Sequence, residues 1–478
     1  MEMISEIQAW ELTDTNRDWL IHRPVEIAIY VALAVVLRFA LQRGGESYLW
    51  TPRGRRRLPA GVGPAGPTRL RPVLTSGVMT LPGMIRAGLE PVAARLRPAP
   101  QLGPGHDMAV GDFVAARFGR QVADRFVDPL LGGLHSGDVR RLSLRATTPT
   151  LVGAARQSRS LMPLRLRDLP RRAVGSLAAR LPADRAQDVV RRLPAPLRPA
   201  PEVARPSMDF LSFPGGLRTV LERMLDGLDV RVRVDAPVAD LERAASGYRV
   251  RCDDGEEMEA DGVVLAVPAW AAADLLRPLI PQAADTLAAT RTASTVSVVL
   301  GFRRDDVTRV AALAGNGLLI PSTTGTLLKA ITNLSAKWPQ YADAELFWVR
   351  LSAGRDGQDV VAGMSDEALV DHLRRDLRAL TGLDAAPAVV HVQRWPRGLP
   401  QLTVGHPDRT REVRDVLAAA LPGVALAGAA YDGIGLAACL ASGQRAADEV
   451  AAACVANDVR AGRPDVPLEP KPTTSTPA

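Results

Sequence analysis

The stretch that decides the fold is residues 426–450, "LAGAAYDGIGLAACLASGQRAADEV". A short apolar strand comes first, then two glycines, Gly433 and Gly435, and then an alanine-rich helix. Glycines at the start of a helix remove side chains, so a ligand can approach the free N–H groups and the positive end of the helix dipole. Alternatively, the two glycines only permit a tight strand-to-helix turn. Their spacing alone does not separate the two interpretations.

The composition of the chain narrows the choice of ligand. The 478 residues are enough for two or three domains and a large core. The net charge of +7 comes almost wholly from arginine, since the lysines are only Lys329, Lys337 and Lys471. Arginine favours bidentate contacts with carboxylate or phosphate, which suits nucleic acid, anionic lipid or a polyanionic small substrate. Aromatic residues are only 4% of the chain and no nucleic-acid motif is present, which argues against nucleic acid.

Cysteine use and the N-terminal region bear on location. Cys252, Cys439 and Cys454 are widely scattered, so we expect neither a disulfide framework nor a metal site, and we predict a cytoplasmic protein. The apolar run 27–37 is shorter than the roughly 20 residues that span a membrane, and it begins too late for a signal peptide. It indicates a buried helix or a helix at a membrane surface.

Patterning along the middle of the chain predicts further elements. Apolar residues at three- and four-residue steps predict a helix within 110–131, in a region rich in proline and arginine. Val230, Val232 and Val234 alternate as in a strand, and Asp254-Gly255 marks a hairpin. The apolar run 263–267 is typical of a buried strand.

Two stretches are predicted to lack regular structure. The letters of residues 61–66, "GVGPAG", match the dinucleotide fingerprint G-x-G-x-x-G, but an arginine-rich loop precedes them and Pro64 and Pro67 oppose a helix. That fingerprint needs a strand before it and a helix after it, so we interpret these residues as a loop. Residues from Asp458 onward have the composition of a disordered tail.

Several motifs together resemble a known family. Residues 210–225, "FLSFPGGLRTVLERML", and then 261–276, "DGVVLAVPAWAAADLL", precede the opening stretch in the order found in the flavin-containing amine oxidase superfamily. Residues 117–151, "RFGRQVADRFVDPLLGGLHSGDVRRLSLRATTPTL", and 315–339, "GNGLLIPSTTGTLLKAITNLSAKWP", look like the porphyrinogen oxidases of haem biosynthesis. So does 394–406, "RWPRGLPQLTVGH". The resemblance runs from about residue 50 to residue 450.

The resemblance implies an oxidoreductase that acts on CH–CH bonds with FAD as its cofactor and oxygen as its acceptor. The expected substrate is coproporphyrinogen III, which would lose six electrons in three two-electron steps to give coproporphyrin III and hydrogen peroxide. Protoporphyrinogen IX is the alternative substrate. Coproporphyrinogen carries four propionates, which arginine side chains can bind, and an apolar macrocycle, which needs an aliphatic wall.

The resemblance also implies roles for individual residues. The flavin would do the hydride chemistry, so no side chain is assigned as catalytic, and His135 stands where the family commonly has an aromatic residue. The implied cofactor contacts are Val238 on the adenine side, Trp395 near the flavin, and Gly433, Ile434 and Gly435 under the ring and the pyrophosphate. The implied substrate contacts begin with Gly133, where the substrate would pass close to the backbone. Leu134, Leu318 and Leu319 would form the apolar wall. Arg350 would bind a propionate, and a surface ion pair is the alternative role for it.

The implied fold is α/β, an FAD-binding amine-oxidase-type fold with a discontinuous nucleotide-binding domain and a mixed α+β substrate domain. We divide the chain into an atypical N-terminal segment with an apolar helix (1–48), a helical region facing substrate or membrane (49–205), a first FAD-domain segment (206–268), a substrate domain (269–405), a second FAD-domain segment (406–456) and a tail (457–478).

One departure from the family concerns the N-terminal βαβ unit with its G-x-G-x-x-G turn, which the chain is expected to lack. No glycine precedes Gly44. That unit normally carries the pyrophosphate of the cofactor. A truncated, flavin-free interaction protein of the membrane surface is therefore the alternative from another class. Peripheral membrane contact and a homodimer are the further expected partners.

Overall fold

A computed structural model of the chain describes residues 40–41, 45–59, 62–63, 66–67, 73, 76–96, 100–157, 160–161, 211–307, 310–358 and 360–460. The apolar run 27–37 lies outside these residues, and so does the tail from residue 461 onward. The predictions made for those two stretches therefore stay predictions.

The described strands fall into five sheets. They are β1 (Ala40–Leu41), β2 (Ser47–Thr51), β3 (Gly54–Arg57), β4 (Val62–Gly63), β5 (Gly66–Pro67), β6 (Leu211–Ser212), β7 (Val238–Arg243), β8 (Tyr248–Cys252), β9 (Glu257–Ala260), β10 (Val263–Leu265), β11 (Thr292–Arg303), β12 (Gly317–Leu319), β13 (Leu328–Asn333), β14 (Leu346–Ala353), β15 (Val389–Pro400) and β16 (Val424–Leu426).

Helices connect and cover these sheets. The α-helices are α1 (Leu81–Gly88), α2 (Glu90–Leu96), α3 (Val110–Phe118), α4 (Arg120–Val122), α5 (Gly133–His135), α6 (Leu144–Thr147), α7 (Pro149–Gln157), α8 (Arg218–Leu225), α9 (Ala269–Leu276), α10 (Pro281–Ala288), α11 (Arg304–Val307), α12 (Leu334–Lys337), α13 (Val360–Gly363), α14 (Asp366–Thr381), α15 (His406–Ala420), α16 (Ala429–Asp432) and α17 (Leu436–Arg460). A π-helix, Ala123–Gly132, joins α4 to α5.

The largest sheet has seven strands in the order β15-β11-β14-β13-β12-β2-β3. Its longest inner strand, β11, alternates buried residues such as Val298 and Leu300 with half-buried ones such as Ser297 and Val299. This period of two places one set of side chains in a core and the other on the opposite face. The sheet therefore has one covered face and one that we call the open face.

Helix α14 covers the first face of this sheet. The Ser365 side chain caps its N-terminus by accepting a hydrogen bond from the N–H of Ala368, and Gly382, with φ of 79°, ends it. Its buried leucines recur at three- and four-residue steps and pack against β11, β13 and β14; they are Leu369, Leu373, Leu377 and Leu380. This packing forms the core beneath the sheet.

The helix predicted within 110–131 is confirmed, with one break and one change of geometry. Helix α3 ends at Phe118, and the next residue, Gly119, has φ of 95°. The chain then winds through α4 into the π-helix, which contains Pro129. A proline has no backbone N–H to donate, so the regular hydrogen-bond ladder cannot continue through it. Buried aromatic rings, including Phe113 and Phe126, form the core of this helical layer.

The opening stretch of the sequence lies in a separate layer. Strands β10 and β16 pair in parallel, and α9, α10 and α15 bury their apolar faces against them. The predicted strand within 263–267 is confirmed as β10, which ends before Pro268. The predicted strand and helix of 426–450 are confirmed as β16 and α17, with the single turn of α16 between them. This layer has the α/β arrangement expected from the sequence.

The hairpin at Asp254-Gly255 is confirmed, because β8 and β9 pair around Gly255, which has φ of 85°. The strand suggested by Val230, Val232 and Val234 is wrong: none of these valines lies in a strand, and all three are exposed. Alternation favours a strand only where another strand pairs with it. In this segment Arg233 instead forms an ion pair with Glu256, with Nη2 and Oε2 2.5 Å apart.

The structure also bears on the two stretches predicted to be irregular. Within residues 61–66 the described residues form β4 and part of β5, a two-residue pairing without the strand-to-helix turn of a dinucleotide site. The interpretation as a loop is consistent with that pairing. The tail was predicted to begin at Asp458, but helix α17 continues to Arg460, so the helix is longer than expected.

Candidate functional site

The junction between β16 and α17 forms the first part of the candidate site. Gly433 has φ of 125°, a backbone conformation that favours glycine. A Cβ atom added at Gly435 would meet no heavy atom within 4 Å, so the space in front of this residue is open. Helix α17 has 25 residues, and its first N–H groups have no partner within the helix. Open space therefore meets the positive end of a long helix dipole.

Asp432 holds this junction in place. Its Oδ2 accepts hydrogen bonds from Arg414 Nη2 at 2.7 Å, from Arg445 Nη2 at 2.9 Å and from the Ser442 hydroxyl. Burial works to raise the pKa of this carboxyl, but the hydrogen bonds from Arg414 and Ser442 outweigh it, and the pKa is lowered. The carboxylate is thus ionised and fully engaged, which makes it a structural group.

Tyr431 links the junction to the neighbouring strand. Its hydroxyl donates to the carbonyl oxygen of Val267, just beyond β10, at 2.9 Å. Its own carbonyl oxygen lies 3.2 Å from His406 Nε2. Burial lowers the pKa of His406 to about 4, so this ring is neutral near pH 7 and donates from Nε2. These contacts bring the carboxyl ends of β10 and β16 to one place, where α/β sheets bind their ligands.

Strand β15, which contacts α16 of this junction, carries an exposed aromatic side chain. That side chain belongs to Trp395 and is 55% exposed. Two residues further on, Arg397 has φ of 49° and places its guanidinium 4.4 Å from the centroid of the Trp270 ring. Val267 and Leu436 are also exposed here. Exposed apolar side chains of this kind would offer contacts to a flat, electron-rich ring held at the N-terminus of α17.

The open face of the seven-stranded sheet forms the second part of the candidate site. Paired residues of an antiparallel sheet share a face, and the register pairs Val299 with Arg350 and His391, and Ser297 with Ser352 and Gln393. All of these are half-buried or exposed. The face is therefore polar, whereas the opposite face is aliphatic.

Basic side chains lie together on and near this face. Arg350 donates from Nη2 to the Thr332 hydroxyl at 3.3 Å, and desolvation lowers its pKa. Lys337, at the end of α12, has its pKa lowered by burial and by the charge of Arg350. Each positive charge thus works against its neighbour, and an anionic ligand bound here would relieve that repulsion.

The π-helix leads directly into α5, which carries the exposed apolar residue Leu134. Leu134 is 59% exposed, and a Cβ atom added at Gly133 would meet nothing within 4 Å. Asp128, inside the π-helix, accepts hydrogen bonds from the backbone N–H of Ser322 at 2.7 Å and from the Ser322 hydroxyl at 3.0 Å. This attachment to the loop after β12 fixes the helix against the sheet.

Comparison with known proteins identifies this architecture. The chain matches the family described as flavin containing amine oxidoreductase over residues 31–451. It belongs to that family. It is 31% identical over 460 residues to the coproporphyrinogen III oxidase of Propionibacterium freudenreichii subsp. freudenreichii, covering 91% of this chain and 81% of that one. It is 27% identical over 406 residues to the coproporphyrinogen III oxidase of Bacillus subtilis strain 168, covering 85% of this chain and 79% of that one.

A solved structure agrees with this assignment. The crystal structure of a candidate protoporphyrinogen oxidase from Exiguobacterium sp. 255-15 has a TM-score of 0.69 and 25% sequence identity, and the match covers 90% of this chain and 85% of that chain. The fold of this flavin-containing oxidoreductase is therefore the α/β amine-oxidase type predicted from the sequence, and its cofactor is FAD.

The described residues fit the flavin end of such a cofactor. Gly433, Ile434 and Gly435 lead into α17, and Trp395 stands on the strand that contacts α16. Gly433, Ile434 and Gly435 therefore lie together, and the contacts with the flavin predicted for them and for Trp395 stay predictions. Val238 lies elsewhere, exposed at the start of β7 in a separate three-stranded sheet that packs against α9. Its predicted contact with the adenine side stays a prediction.

The predicted substrate residues of this oxidoreductase are divided between two environments. Leu134 is exposed, and Arg350 stands on the open face. Leu319 is half-buried and packs against the core of the helical layer. Leu318 is only 3% exposed and packs into the core under the sheet, because adjacent residues of a strand point to opposite faces. The structure therefore does not place Leu318 with the other predicted wall residues.

Sequence reasoning missed several residues that shape the site. Tyr431, Asp432 and His406 hold the junction, and Lys337 accompanies Arg350. The signal for Asp432 was present in the sequence, since a carboxylate directly before a glycine-opened helix often binds nearby backbone or basic groups. Contacts between Asp432 and the distant residues Arg414 and Arg445 required the folded chain.

A cavity of about 480 Å³ lies between Phe302 of β11 and residues such as Arg374 on α14. It is on the far side of the core from the open face, so it is separate from the candidate site. The described part of the chain contains no group of three His, Cys, Asp or Glu side chains that could hold a metal ion. None of the described helices is long and apolar enough to cross a membrane.

Proposed function

We propose that this oxidoreductase converts coproporphyrinogen III to coproporphyrin III with FAD as cofactor and oxygen as electron acceptor. One combined observation supports the proposal. The chain is similar to coproporphyrinogen III oxidases, and it has both an open, glycine-containing junction between β16 and α17 and a cationic open face. The substrate loses six electrons and six protons, and three molecules of oxygen take them up as three molecules of hydrogen peroxide. Bound flavin supplies the two-electron acceptor for this chemistry.

The chain's own side chains bind and orient the substrate in this proposal. Arg350 and Lys337 receive propionate carboxylates, because both are cations whose mutual repulsion an anion would offset. The exposed Leu134 provides apolar contact for the macrocycle, and Gly133 leaves room for it close to the backbone. Trp395 and the glycine pair hold the flavin end of the cofactor.

Protoporphyrinogen IX remains the alternative substrate, since the similar Exiguobacterium structure is described as a protoporphyrinogen oxidase. Protoporphyrinogen has two carboxylates and coproporphyrinogen has four, so the number of basic side chains engaged separates the two. The cluster around Arg350 favours the more highly charged substrate.

Porphyrin binding tests the substrate proposal without needing flavin. We expect the protein to bind coproporphyrin III more tightly than protoporphyrin IX, and far more tightly than the uncharged coproporphyrin tetramethyl ester, as followed by the Soret absorption band. Arg350→Gln should weaken coproporphyrin binding by about tenfold, the loss expected for a charge-assisted contact. Arg378→Gln is the matched control, because Arg378 pairs with Asp384 on the far side of the sheet.

One result of this binding experiment would contradict the substrate proposal. Equal affinities for the tetracarboxylate and its ester would remove the case for a carboxylate site on the open face. A chain that stayed colourless after incubation with FAD and gel filtration, and that bound no porphyrin, would support the flavin-free interaction protein instead.

We also propose a peripheral contact with an anionic membrane surface through α1 and α2. Their exposed apolar side chains recur at three- and four-residue steps along both helices and are 49–81% exposed; they are Leu81, Ile85, Leu89, Val92 and Leu96. We call this set the α1–α2 stripe. The acidic residue of these helices, Glu90, is buried, whereas Arg95 is exposed, so the exposed charge beside the stripe is positive. A homodimer and a cytoplasmic location stay predictions.

A further inference from the structure

The turn that follows Gly133 and Leu134 is held by three polar contacts from beyond the helical layer. Gln401, after β15, donates from Nε2 to the carbonyl oxygen of His135 at 2.9 Å. The backbone N–H of Asp356, after β14, donates to the carbonyl oxygen of Ser136 at 2.6 Å. Lys329, in β13, donates from Nζ to the Ser136 hydroxyl. Three strands of the sheet therefore control where α5 ends.

Ser136 is an unusual attachment point. It is fully buried and has φ of 50° and ψ of 30°, a left-handed conformation that few residues other than glycine adopt. A serine in this conformation is retained where surrounding contacts hold it. Its neighbour His135 is also buried, and desolvation lowers the pKa of that ring to about 4, so it carries no charge near pH 7.

Lys329 is the charged member of the three contacts. It is 7% exposed, and its hydrogen-bond acceptor, the Ser136 hydroxyl, is uncharged. The charges that act on Lys329 are both positive and belong to Arg355 and Arg350. Arg355 is buried and donates from Nη2 to the carbonyl oxygen of Ile320 at 2.8 Å. Burying a cation beside two guanidinium groups costs free energy. A lysine at this position therefore indicates a role that a neutral side chain could not fill.

Two buried carboxylates of the described residues stand near these cations. Asp356 follows Arg355 in the chain and forms ion pairs with Arg291 at 2.7 Å and with Arg141 at 3.5 Å. Asp128 interacts electrostatically with Arg355 and with Arg140, and burial raises its pKa. Its carboxylate already accepts two hydrogen bonds from Ser322. Because Asp356 is paired with two other arginines, the group of Lys329, Arg350 and Arg355 carries an excess of positive charge, and Lys329 brings it to the end of α5.

We propose that Lys329 is a positioning residue for the tetrapyrrole site, tying Ser136 to the sheet while adding its positive charge to the one that Arg350 presents to the substrate carboxylates. The proposal rests on the porphyrinogen oxidase function. It deepens that function, because it links the placement of the apolar contact at Leu134 to the same cationic group that attracts the anionic substrate.

The charge of Lys329 is expected to titrate in an accessible range. Desolvation, together with the charges of Arg355 and Arg350, lowers its pKa to about 8. Below pH 8 the ammonium form attracts carboxylates, and above pH 8 that attraction is lost. The arginines keep their charge throughout this range, His135 stays neutral, and the ligand carboxylates stay ionised. Lys337 is the other amine of the site with a lowered pKa, and its own variant separates the two contributions. Coproporphyrin binding should therefore weaken as the pH rises through about 8.

The test measures the dissociation constant for coproporphyrin III between pH 6.5 and 9.5 in the full chain. We expect Lys329→Met to weaken binding about fivefold or more at pH 7 and to remove the change near pH 8. Lys329→Arg should restore tight binding and keep it at pH 9.5, because the guanidinium stays charged. Lys337→Gln is the matched control: it should weaken binding but keep the change near pH 8.

Ser136→Ala provides a second variant that leaves every charge in place. It should weaken binding at pH 7 while keeping the change near pH 8, because only the tether is lost. Wild-type affinity and an unaltered pH profile in Lys329→Met would overturn the inference while leaving the proposed function intact. An unaltered protein that binds no coproporphyrin at any pH would contradict the proposed function, and the inference with it.

Discussion

Gly435 shows how one residue without a side chain sets what the end of a long helix can meet. The space in front of its Cα atom is open, and the helix that follows directs its free N–H groups into that space. Gly433 has a different role, because its positive φ is what allows the chain to turn from α16 into α17. The two glycines of the opening motif thus serve two purposes, one for access and one for backbone geometry.

A bulky residue at Gly435 should block the cofactor. Gly435→Trp is expected to weaken FAD binding by at least about tenfold, since an indole would occupy the open space that the ring needs. The measurement is the flavin absorbance that remains with the protein after gel filtration, with the melting temperature as a check of folding. Gly443→Trp is the control, because a Cβ atom there also meets nothing within 4 Å but lies two turns further along α17. Equal flavin retention in both variants would contradict the placement.

At the scale of elements, α1 and α2 combine a buried face and an exposed one. The Thr80 side chain caps α1 by accepting a hydrogen bond from the N–H of Gly83, and the small residues Gly83 and Ala87 face inward. Below the second helix, Glu90 accepts hydrogen bonds from the Ser160 hydroxyl at 2.5 Å and from the N–H of Leu161 at 3.1 Å. The inner face is therefore fully packed, and the α1–α2 stripe remains on the outside.

Charges placed in the α1–α2 stripe should reduce membrane binding. The double variant Ile85→Glu, Val92→Glu is expected to lower the fraction of protein that sediments with phosphatidylglycerol vesicles at least about fivefold, because the stripe loses apolar area and gains repulsion from the lipid headgroups. Leu221→Glu is the control, since Leu221 is an exposed leucine on α8. Absence of sedimentation in the unaltered chain, or equal loss in the control, would argue against the proposed contact.

At the scale of the whole molecule, the three larger apolar cores of the described residues lie in the helical layer, under the seven-stranded sheet and around the β10–β16 pair. Two buried histidines stand where these layers meet. His135 ends α5 beside the sheet, and His406 starts α15 and contacts Tyr431. Both have pKa values lowered to about 4 by burial, so the folded chain holds them neutral.

These two histidines should make the fold sensitive to acid. Between about pH 6.5 and pH 4 the unfolded chain binds protons that the folded chain does not, so the free energy of unfolding falls as the pH falls through that window. Each histidine accounts for about 3 kcal/mol of this loss by pH 4. Urea unfolding at pH 7 and pH 4.5 should show the decrease, and His406→Gln should reduce it by roughly half. His391→Gln, at an exposed position, should not.

The outcomes at particular residues explain how far sequence reasoning could reach. The turns at Gly255 and Gly433 and the strand at Val263 were predictable, because each depends on its own residue types and immediate neighbours. The alternation of Val230, Val232 and Val234 predicted a strand wrongly, because a strand also needs a neighbouring strand to pair with. Leu318 and Leu319 could not be told apart from their letters alone, since the choice of face depends on which side of β12 the core lies.

The amino-acid sequence by itself determined the α/β character, the strand-to-helix junction and the family of this protein, because these follow from local periodicity and from motifs that are continuous along the chain. Only the tertiary structure decided that Asp432 is bound by Arg414 and Arg445, and that Lys329 meets Ser136 across 193 positions of sequence. Such contacts join residues from different strands and helices. Burial and charge at each position then depend on what the fold places beside it, which no local pattern records.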